Sequence, residues 1–242
     1  MDAFLSACMR LYDMAFPGEP EAFTRAMFDR YAPEYLRTVC ENGKPISMLF
    51  SIPYPIIIDN ATLDARYLYA VATHPDHRGK GLAKQLLLQE AAEHPVFLRP
   101  MSESLFDYYG KVGFAPFSPI AIETGEAAAP SGAERLVSAA EFLRLRDSLA
   151  PLPHCRPTEQ FLSLYENGGG TVAHGSEAVA IFERSNGGIL FKEYWGNPVF
   201  APRLAAFLGG KRFELRRAAE NGKCFGVGIG VPVGTAFLAA LD

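Results

Sequence analysis

Residues 74–87 read HPDHRGKGLAKQLL. An apolar run ends at Thr73, a short polar turn follows with Gly79 and Gly81 beside Arg78, Lys80 and Lys84, and then a leucine-rich stretch begins. The first backbone N–H groups of a helix have no partner inside it, and together with the helix dipole they make an anion site. Glycines let an anion approach the backbone closely because no side chain stands in the way. The three basic residues add charge. A strand leading directly into such a turn suits a pyrophosphate. The turn is not a P-loop, because the GxxxxGKS/T spacing is absent, and it is not GxGxxG, because position 84 is lysine. The plain alternative is an ordinary turn with solvated basic residues.

Positioning such a turn requires a strand before it and a helix after it. Residues 65–73, apolar and aromatic, have strand length, and the pattern of Leu82, Ala83, Leu86, Leu87 and Ala91 predicts a helix over 78–93. Upstream, residues 3–16 and 20–31 read as helices broken by PGEP, and 35–41 and 46–57 read as strands joined by the turn ENGK, with a further turn at DNATLD (59–64). Downstream, PVFLRP (95–100) is a short strand, SESLFDYYGKVGF (102–114) a helix ending in a turn at Gly113, and 115–123 a returning strand. The small polar stretch TGEAAAPSGAE (124–134) reads as a linker. Beyond it the alternation recurs in weaker form. Helices are expected near 138–149, 157–167 and 199–208, and strands near 170–174, 177–184, 188–195 and 212–217. ERSNGG (183–188) is a hairpin turn, and an apolar tail runs to Asp242. The expected division is a first domain over 1–125, a linker over 126–134 and a second domain over 135–242. The order of elements predicts an α/β (α+β) fold, a mixed central sheet flanked by helices.

The bulk numbers narrow the function. With 242 residues, 49% hydrophobic and 21% charged, and a net charge of −4, the chain reads as globular with no broad basic face for nucleic acid. No apolar run approaches the roughly 18 residues of a membrane span, so no membrane partner is expected. The start, MDAFLSACMRLYDMAF, lacks the features of a signal peptide and reads as an amphipathic helix, which implies a cytoplasmic protein. Cys8, Cys40, Cys155 and Cys224 are far apart with no CxxC, so reduced core thiols are expected. The five histidines show no metal-ligand spacing, so no metal is expected.

Arg78-Gly79-Lys80-Gly81-Leu82-Ala83 fits the pattern Q/R-x-x-G-x-G/A and resembles the acetyl-CoA-binding motif of the GNAT superfamily of N-acetyltransferases. VATHPDHRGKG is similar to that family's strand-to-helix segment over its full length. At the expected distance, SESLFDYYGKVGF is similar to the family's downstream helix ending in FYEKxGF, with Tyr109 on the tyrosine and Gly113-Phe114 on the GF. The resemblance covers roughly residues 3–123 and implies direct transfer of an acyl group from acetyl-CoA, as cosubstrate, to a small-molecule or peptide amine. It implies that Val71, Ala72 and Thr73 splay from the next strand and offer free backbone groups. The Val71 N–H would polarise the thioester carbonyl, and Thr73 would pair through its backbone with the pantetheine arm. Arg78 and Lys80 would add charge to a pyrophosphate held by the amides of Gly79, Gly81, Leu82, Ala83 and Lys84. Ser102 and Glu103, at the end of the next strand, would face the CoA tail or the acceptor. Tyr109 would protonate the leaving thiolate. Because phenol and thiol reference pKa values are about 10 and 8.5, it must gain from positioning or from a lowered pKa. Tyr108 points elsewhere and packs.

The sequence also departs from the family. Many members carry a glutamate on the strand before the motif as general base, and here that stretch reads Tyr67, Leu68, Tyr69. A water chain, Glu103 or a group from the second half would have to serve, or the amine arrives deprotonated. The usual first strand is absent before the first helix. In the second half KEYWGNPVFAPRL occupies the place of the basic turn, with Pro198 and Pro202 leaving fewer free amides. Its arrangement resembles the degenerate second half of tandem GNAT proteins such as the Eis-like acetyltransferases. Trp195 would either line an acceptor cleft or sit in the core. Two other readings remain. A non-catalytic acyl-CoA-binding or regulatory module is favoured by the missing glutamate and opposed by Tyr109. The other is transfer of a longer acyl group. Glu19, Glu21, Asp29 and Glu34 mildly favour a cationic acceptor.

Overall fold

The computed structural model describes residues 3–59, 61–165, 169–185 and 188–238. Its first elements are α1 (Ala3–Ala15), α2 (Glu21–Tyr35), β1 (Leu36–Glu41), β2 (Lys44–Pro53), β3 (Ile56–Ile58), β4 (Ala61–Leu63) and β5 (Arg66–Thr73). A single turn of 3-10 helix at Pro75–His77 precedes α3 (Leu82–Glu93), β6 (Val96–Leu98), α4 (Glu103–Val112) and β7 (Ala115–Glu126). There follow β8 (Glu134–Leu136), α5 (Ala139–Leu149), β9 (His154–Cys155), α6 (Glu159–Leu162), β10 (Gly169–His174), β11 (Ala178–Ser185) and β12 (Gly188–Gly196). The last elements are α7 (Ala201–Phe207), β13 (Arg212–Ala218) and β14 (Lys223–Ile229).

The chain forms two compact units. The first comprises residues 1–54, 64–115 and 227–231, the second 55–63, 116–226 and 232–242. In the first, the strands lie in the order β1-β2-β5-β6-β14, with the Val227–Ile229 end of β14 antiparallel to β6 and β5 parallel to β6. Alternation along the strands assigns the two faces. Leu49 and Leu68 pack with Leu86 and Leu87 of α3 and with Tyr109 and Val112 of α4. Their neighbours face the opposite way: Phe50 meets Phe28 of α2 edge-on at 5.1 Å, and Tyr69 meets Tyr12 of α1 at 6.4 Å. Glu90 of α3 is buried, held by Arg37 at 2.7 Å and by the Ser51 hydroxyl, so a carboxylate inside this layer is fully partnered.

In the second unit the order is β7-β13-β12-β11-β10-β8, with β12 and β13 parallel and joined through α7. Ala201, Leu204, Ala205 and Leu208 of the α7 segment pack on Val172, Ala180, Phe182 and Phe191. A small sheet, β4-β3-β9, completes it.

The α/β architecture is the one the order of elements implies, but several boundaries differ. The expected helix over 78–93 begins only at Leu82, because Gly79 and Gly81 both take left-handed φ of +76° and hold the turn open. Helix α2 runs on to Tyr35 through Pro33. The strand over 46–57 is two strands, and the 59–64 turn contains β4. The helix expected at 157–167 is one turn of α-helix, Glu159–Leu162, followed by 3-10 helix at Ser163–Tyr165. The apolar tail contains β14, whose Gly226 and Gly228 weaken its strand signal. ERSNGG includes residues 186–187, which lie outside the described residues, as does Asn60 of DNATLD. Only two of the four cysteines are core thiols: Cys8 and Cys155 are buried, Cys224 is half-buried and Cys40 exposed. All four are unpaired.

Candidate acyl-transfer site

Strand β5 is not regular. Ser47 pairs with Thr73 and Met48 with Ala72, but Phe50 pairs with Tyr69, so Leu49 alone stands opposite Ala70 and Val71. This is a β-bulge, and Ala70 accommodates it at φ +53°, a left-handed conformation that costs a residue with a Cβ about 1–2 kcal/mol. The bulge turns the Val71 side chain onto the α3/α4 face, where it packs against the cluster containing Leu68 and Tyr109. Strained backbone of this kind concentrates at functional sites.

On its other edge β5 pairs with β6 only through Arg66↔Val96 and Tyr67↔Phe97. From Leu68 to Thr73 that edge has no strand partner among the described residues. Val71, Ala72 and Thr73 therefore lie on a diverging strand. Their opposite edge is pinned: the Ser47 hydroxyl donates to the Ala72 carbonyl at 3.0 Å and meets the Thr73 hydroxyl at 2.9 Å. The Thr73 carbonyl accepts from Arg78 Nε at 3.2 Å, so Arg78 ties the turn back to the strand. Nothing local in the sequence marks Ser47 for this site, its only signal being one hydroxyl in an apolar strand.

The turn presents amides outward. Gly81 is the N-cap of α3 and has no side chain with which to cap it, and the first intrahelical bond is Gln85 N–H to Gly81 C=O at 2.9 Å. The N–H groups of Leu82, Ala83 and Lys84 are left for something else. A Cβ built on Gly79 or Gly81 would meet nothing within 4 Å, so open space lies over both. Lys80 and Lys84 are exposed beside it, with Lys80 Nζ 3.5 Å from His77 Nδ1. Successive free amides flanked by left-handed residues form an anion-binding concavity. These residues fit a pyrophosphate.

Tyr109 is buried at 6% exposure, with its ring 5.6 Å from Phe114 and 5.1 Å from Tyr108. The end of α4 fixes it: Gly113 takes φ +116° and both Gly113 and Phe114 amides donate to the Tyr109 carbonyl, at 3.1 and 3.0 Å. Its hydroxyl has no hydrogen-bond partner among the described residues. Burial pushes the phenol well above its ordinary pKa, with Tyr108 adding to the shift. A lowered pKa is thus not what this tyrosine has. Ser102 and Glu103 are not at the end of the preceding strand, because β6 stops at Leu98. They are the N-cap and first residue of α4, both exposed, and the Ser102 hydroxyl meets that of Ser104 at 3.0 Å.

The second unit repeats the backbone plan with the turn closed. Between Ile181↔Glu193 and Phe182↔Phe191, Lys192 is the extra residue of a bulge on β12. The parallel ladder to β13 ends at Phe191↔Leu215. Beyond it, however, the 3-10 turn Pro198–Phe200, capped by the Asn197 side chain accepting from the Val199 amide at 3.0 Å, runs directly into α7, whereas in the first unit the similar turn capped by His74 is followed by the open Gly79–Gly81 loop. A Cβ on Gly196 would collide with the Glu177 carbonyl. Trp195 is buried, its indole N–H donating to the Glu193 carboxylate and the Arg146 guanidinium lying 5.1 Å above its ring. Among the described residues no group of three or more His, Cys, Asp or Glu side chains could hold a metal ion, and no helix is long and apolar enough to cross a membrane.

Comparison with known proteins places this geometry. Residues 2–117 match the family model of the acetyltransferase (GNAT) domain. No curated protein matches the sequence. Over nearly the whole chain the fold is that of solved structures at low identity. A GCN5-related N-acetyltransferase from Kribbella flavida superposes with TM-score 0.68 at 13% identity, covering 93% of this chain and 68% of that one. Eis1 from Mycobacterium abscessus gives 0.63 at 11%, covering 93% and 72%. A GCN5-related N-acetyltransferase from Anabaena variabilis gives 0.68 at 14%, covering 91% and 65%. Residues 2–117 thus match the acetyltransferase (GNAT) domain, and the chain has the GNAT fold, with a second, GNAT-like half whose turn is closed.

Proposed function

We propose that the chain transfers an acetyl group from acetyl-CoA to an amine of a small molecule or peptide, by direct attack. The observation that carries this is the convergence on one strand: β5 is bulged at Ala70, has no strand partner on its β6 side beyond Tyr67 among the described residues, and leads into the turn of α3 that lacks a side-chain cap, while Val71 shares a cluster with Tyr109. In the reaction the lone pair of the neutral amine bonds the thioester carbonyl carbon, the C–S bond breaks, the nitrogen gives one proton to water, and the thiolate takes a proton from Tyr109, which is reprotonated from solvent. The Val71 N–H is the donor to the carbonyl oxygen, aimed at charge that develops only in the transition state. The amides of Gly79, Gly81, Leu82, Ala83 and Lys84, with Arg78 and Lys80, hold the pyrophosphate. Ala72 and Thr73 border the pantetheine arm, and Ser102 and Glu103 the far end of the site. Tyr109 donates the proton to the thiolate. Its raised pKa keeps it protonated throughout the physiological range, and its contribution comes from being held in place by α4 rather than from acidity. Four unpaired cysteines fit a reducing, cytoplasmic setting.

A second reading, a non-catalytic acyl-CoA-binding module, is favoured by Tyr67, Leu68 and Tyr69 standing where the family pattern has a carboxylate. One experiment separates them. Purified protein with acetyl-CoA is offered polyamines, aminoglycosides, amino acids and peptides, with free thiol as readout and binding measured in parallel. Thiol release with one class supports transfer. Tight binding with no release across the panel supports the module, and no binding removes both.

A further inference from the structure

On the face of β5 away from Tyr109, four aromatic rings meet. Tyr12 and Phe16 lie four residues apart at the end of α1, so they project from one side of it. Tyr12 is 4.9 Å from Phe16, Phe16 stacks on Tyr69 at 6.5 Å and 15°, and Tyr69 stacks on Tyr67 at 6.1 Å. The Tyr12 and Tyr69 hydroxyls are hydrogen-bonded at 2.9 Å. Tyr12 and Tyr67 are buried, whereas Phe16 and Tyr69 keep part of their surface in solvent. Tyr69 directly precedes the bulge and stands two residues before Val71.

We propose that Phe16 and Tyr69, backed by Tyr12 and followed three residues after Phe16 by the exposed Glu19, form the acceptor wall of the transfer site and receive the amine as an alkylammonium cation. This rests on the acyl-transfer reading of the site. Ring faces attract a cation through their quadrupole, and a carboxylate on the same segment adds negative charge to the approach. Glu19 lies in the exposed segment between α1 and α2, and its negative charge acts on both phenols. Burial is the larger cause of their raised pKa values, and the Glu19 field works in the same direction. Asp13 also acts on Tyr12 in the same direction. Both hydroxyls therefore stay neutral and tie the two rings together. The chemistry recognised is positive charge on a short alkyl stem. The bound cation gives up one N–H proton to water before its nitrogen attacks, and the product, a neutral amide, loses the attraction and leaves.

The test uses the full chain saturated with CoA, so that no turnover occurs, and n-butylammonium against its neutral counterpart n-butanol, followed by ligand-observed NMR. Butylammonium should bind roughly tenfold more tightly than butanol, and Glu19→Gln and Phe16→Leu should each reduce that preference several-fold. CoA affinity should stay within about twofold in both variants, because neither residue lies in the turn. Equal affinity for amine and alcohol in the wild type, or an undiminished preference in either variant, overturns the wall while leaving acyl transfer standing. If CoA itself fails to bind, the acyl-transfer reading falls, and the same amine-to-alcohol comparison on the free protein still decides whether the rings and Glu19 select a cation.

Discussion

Gly81→Asp tests the pyrophosphate site. Position 81 is the N-cap of α3, and the space over it is open, so an added side chain collides with nothing. The fold should survive. A side chain at φ +76° costs about 1–2 kcal/mol, less for aspartate, which tolerates the left-handed region, and an acid at a helix start returns about 0.3–1 kcal/mol. The net loss of stability should be at most about 1–2 kcal/mol, a small part of a domain's total. Binding should suffer far more. The carboxylate would sit over the Leu82, Ala83 and Lys84 amides and neutralise part of the field of Arg78, Lys80 and Lys84. Two unit charges about 4 Å apart near a surface interact by about 4 kcal/mol, and half of that already weakens CoA about thirtyfold. Gly81→Ala carries the same backbone strain without the charge and separates the two effects. Calorimetry should show a CoA affinity at least thirtyfold weaker in the aspartate variant and only a few-fold weaker in the alanine one. Wild-type affinity in a folded Gly81→Asp protein would refute the assignment of the turn.

Four further outcomes follow from the geometry. Tyr109→Phe should lower turnover by about 10²–10⁴ with acetyl-CoA affinity nearly unchanged, and equal rates with chemistry limiting would remove Tyr109 from the mechanism. Calorimetric titration should give one acetyl-CoA per chain, and Asn197→Gly should not raise the count, since Pro198 and Pro202 supply no N–H groups; two equivalents of comparable affinity would contradict this. Arg146 and Glu193 are a buried pair at 2.6 Å with 1% and 0% of their side chains exposed, so Arg146→Met, measured by urea unfolding, should destabilise by about 3–5 kcal/mol, and Arg146→Met/Glu193→Leu should recover much of the loss. Burial works to raise the Glu134 pKa, but the Ser131 amide and hydroxyl and the Gly132 amide outweigh it and hold the value at about 2, against 4.5 ordinarily. The folded state is thus the one that favours the carboxylate. Its stabilisation is present above pH 4.5 and is lost as pH falls towards 2, so Glu134→Gln should be the less stable protein at pH 7 and the gap should close in acid.

The sequence made the turn legible because its chemistry is local. Gly79, Gly81 and three basic residues after an apolar run carry the anion site on adjacent positions, and the FYEKxGF-like helix lies close behind. What it hid was long-range. The bulge at Ala70 depends on which residue of β2 stands opposite, and nothing in RYLYAVAT marks alanine for a left-handed φ. Glu90 looks like a surface residue of an amphipathic helix until Arg37 and Ser51, from two other strands, are brought to it. Strand β14 has the local pattern of an apolar tail because glycine-rich strands carry weak signal, and its Val227–Ile229 end pairs with residues 96–98, over a hundred positions away.

Set side by side, the two halves show how little separates a cofactor turn from a closed one. Both have a bulged strand, a parallel partner that diverges after a few pairs, and a capped 3-10 turn past the strand, on His74 in the first half and on Asn197 in the second. In the second half that turn runs directly into α7, where the Ala201 amide is taken by the Pro198 carbonyl and Pro202 has no N–H. In the first half Arg78 to Gly81 intervene, and Gly81 opens α3 with no side-chain cap and a left-handed φ that leaves three amides facing open space. An uncapped helix start is a standing cost unless something else satisfies the amides. A bound anion does so, and its binding energy then appears as stability of the folded chain. The strain at Ala70 follows the same logic, because it re-aims a strand edge that a regular ladder would have used up. The first half thus gives up local stability at two successive places along one strand and its turn. Those are the places where an acyl-CoA would return it.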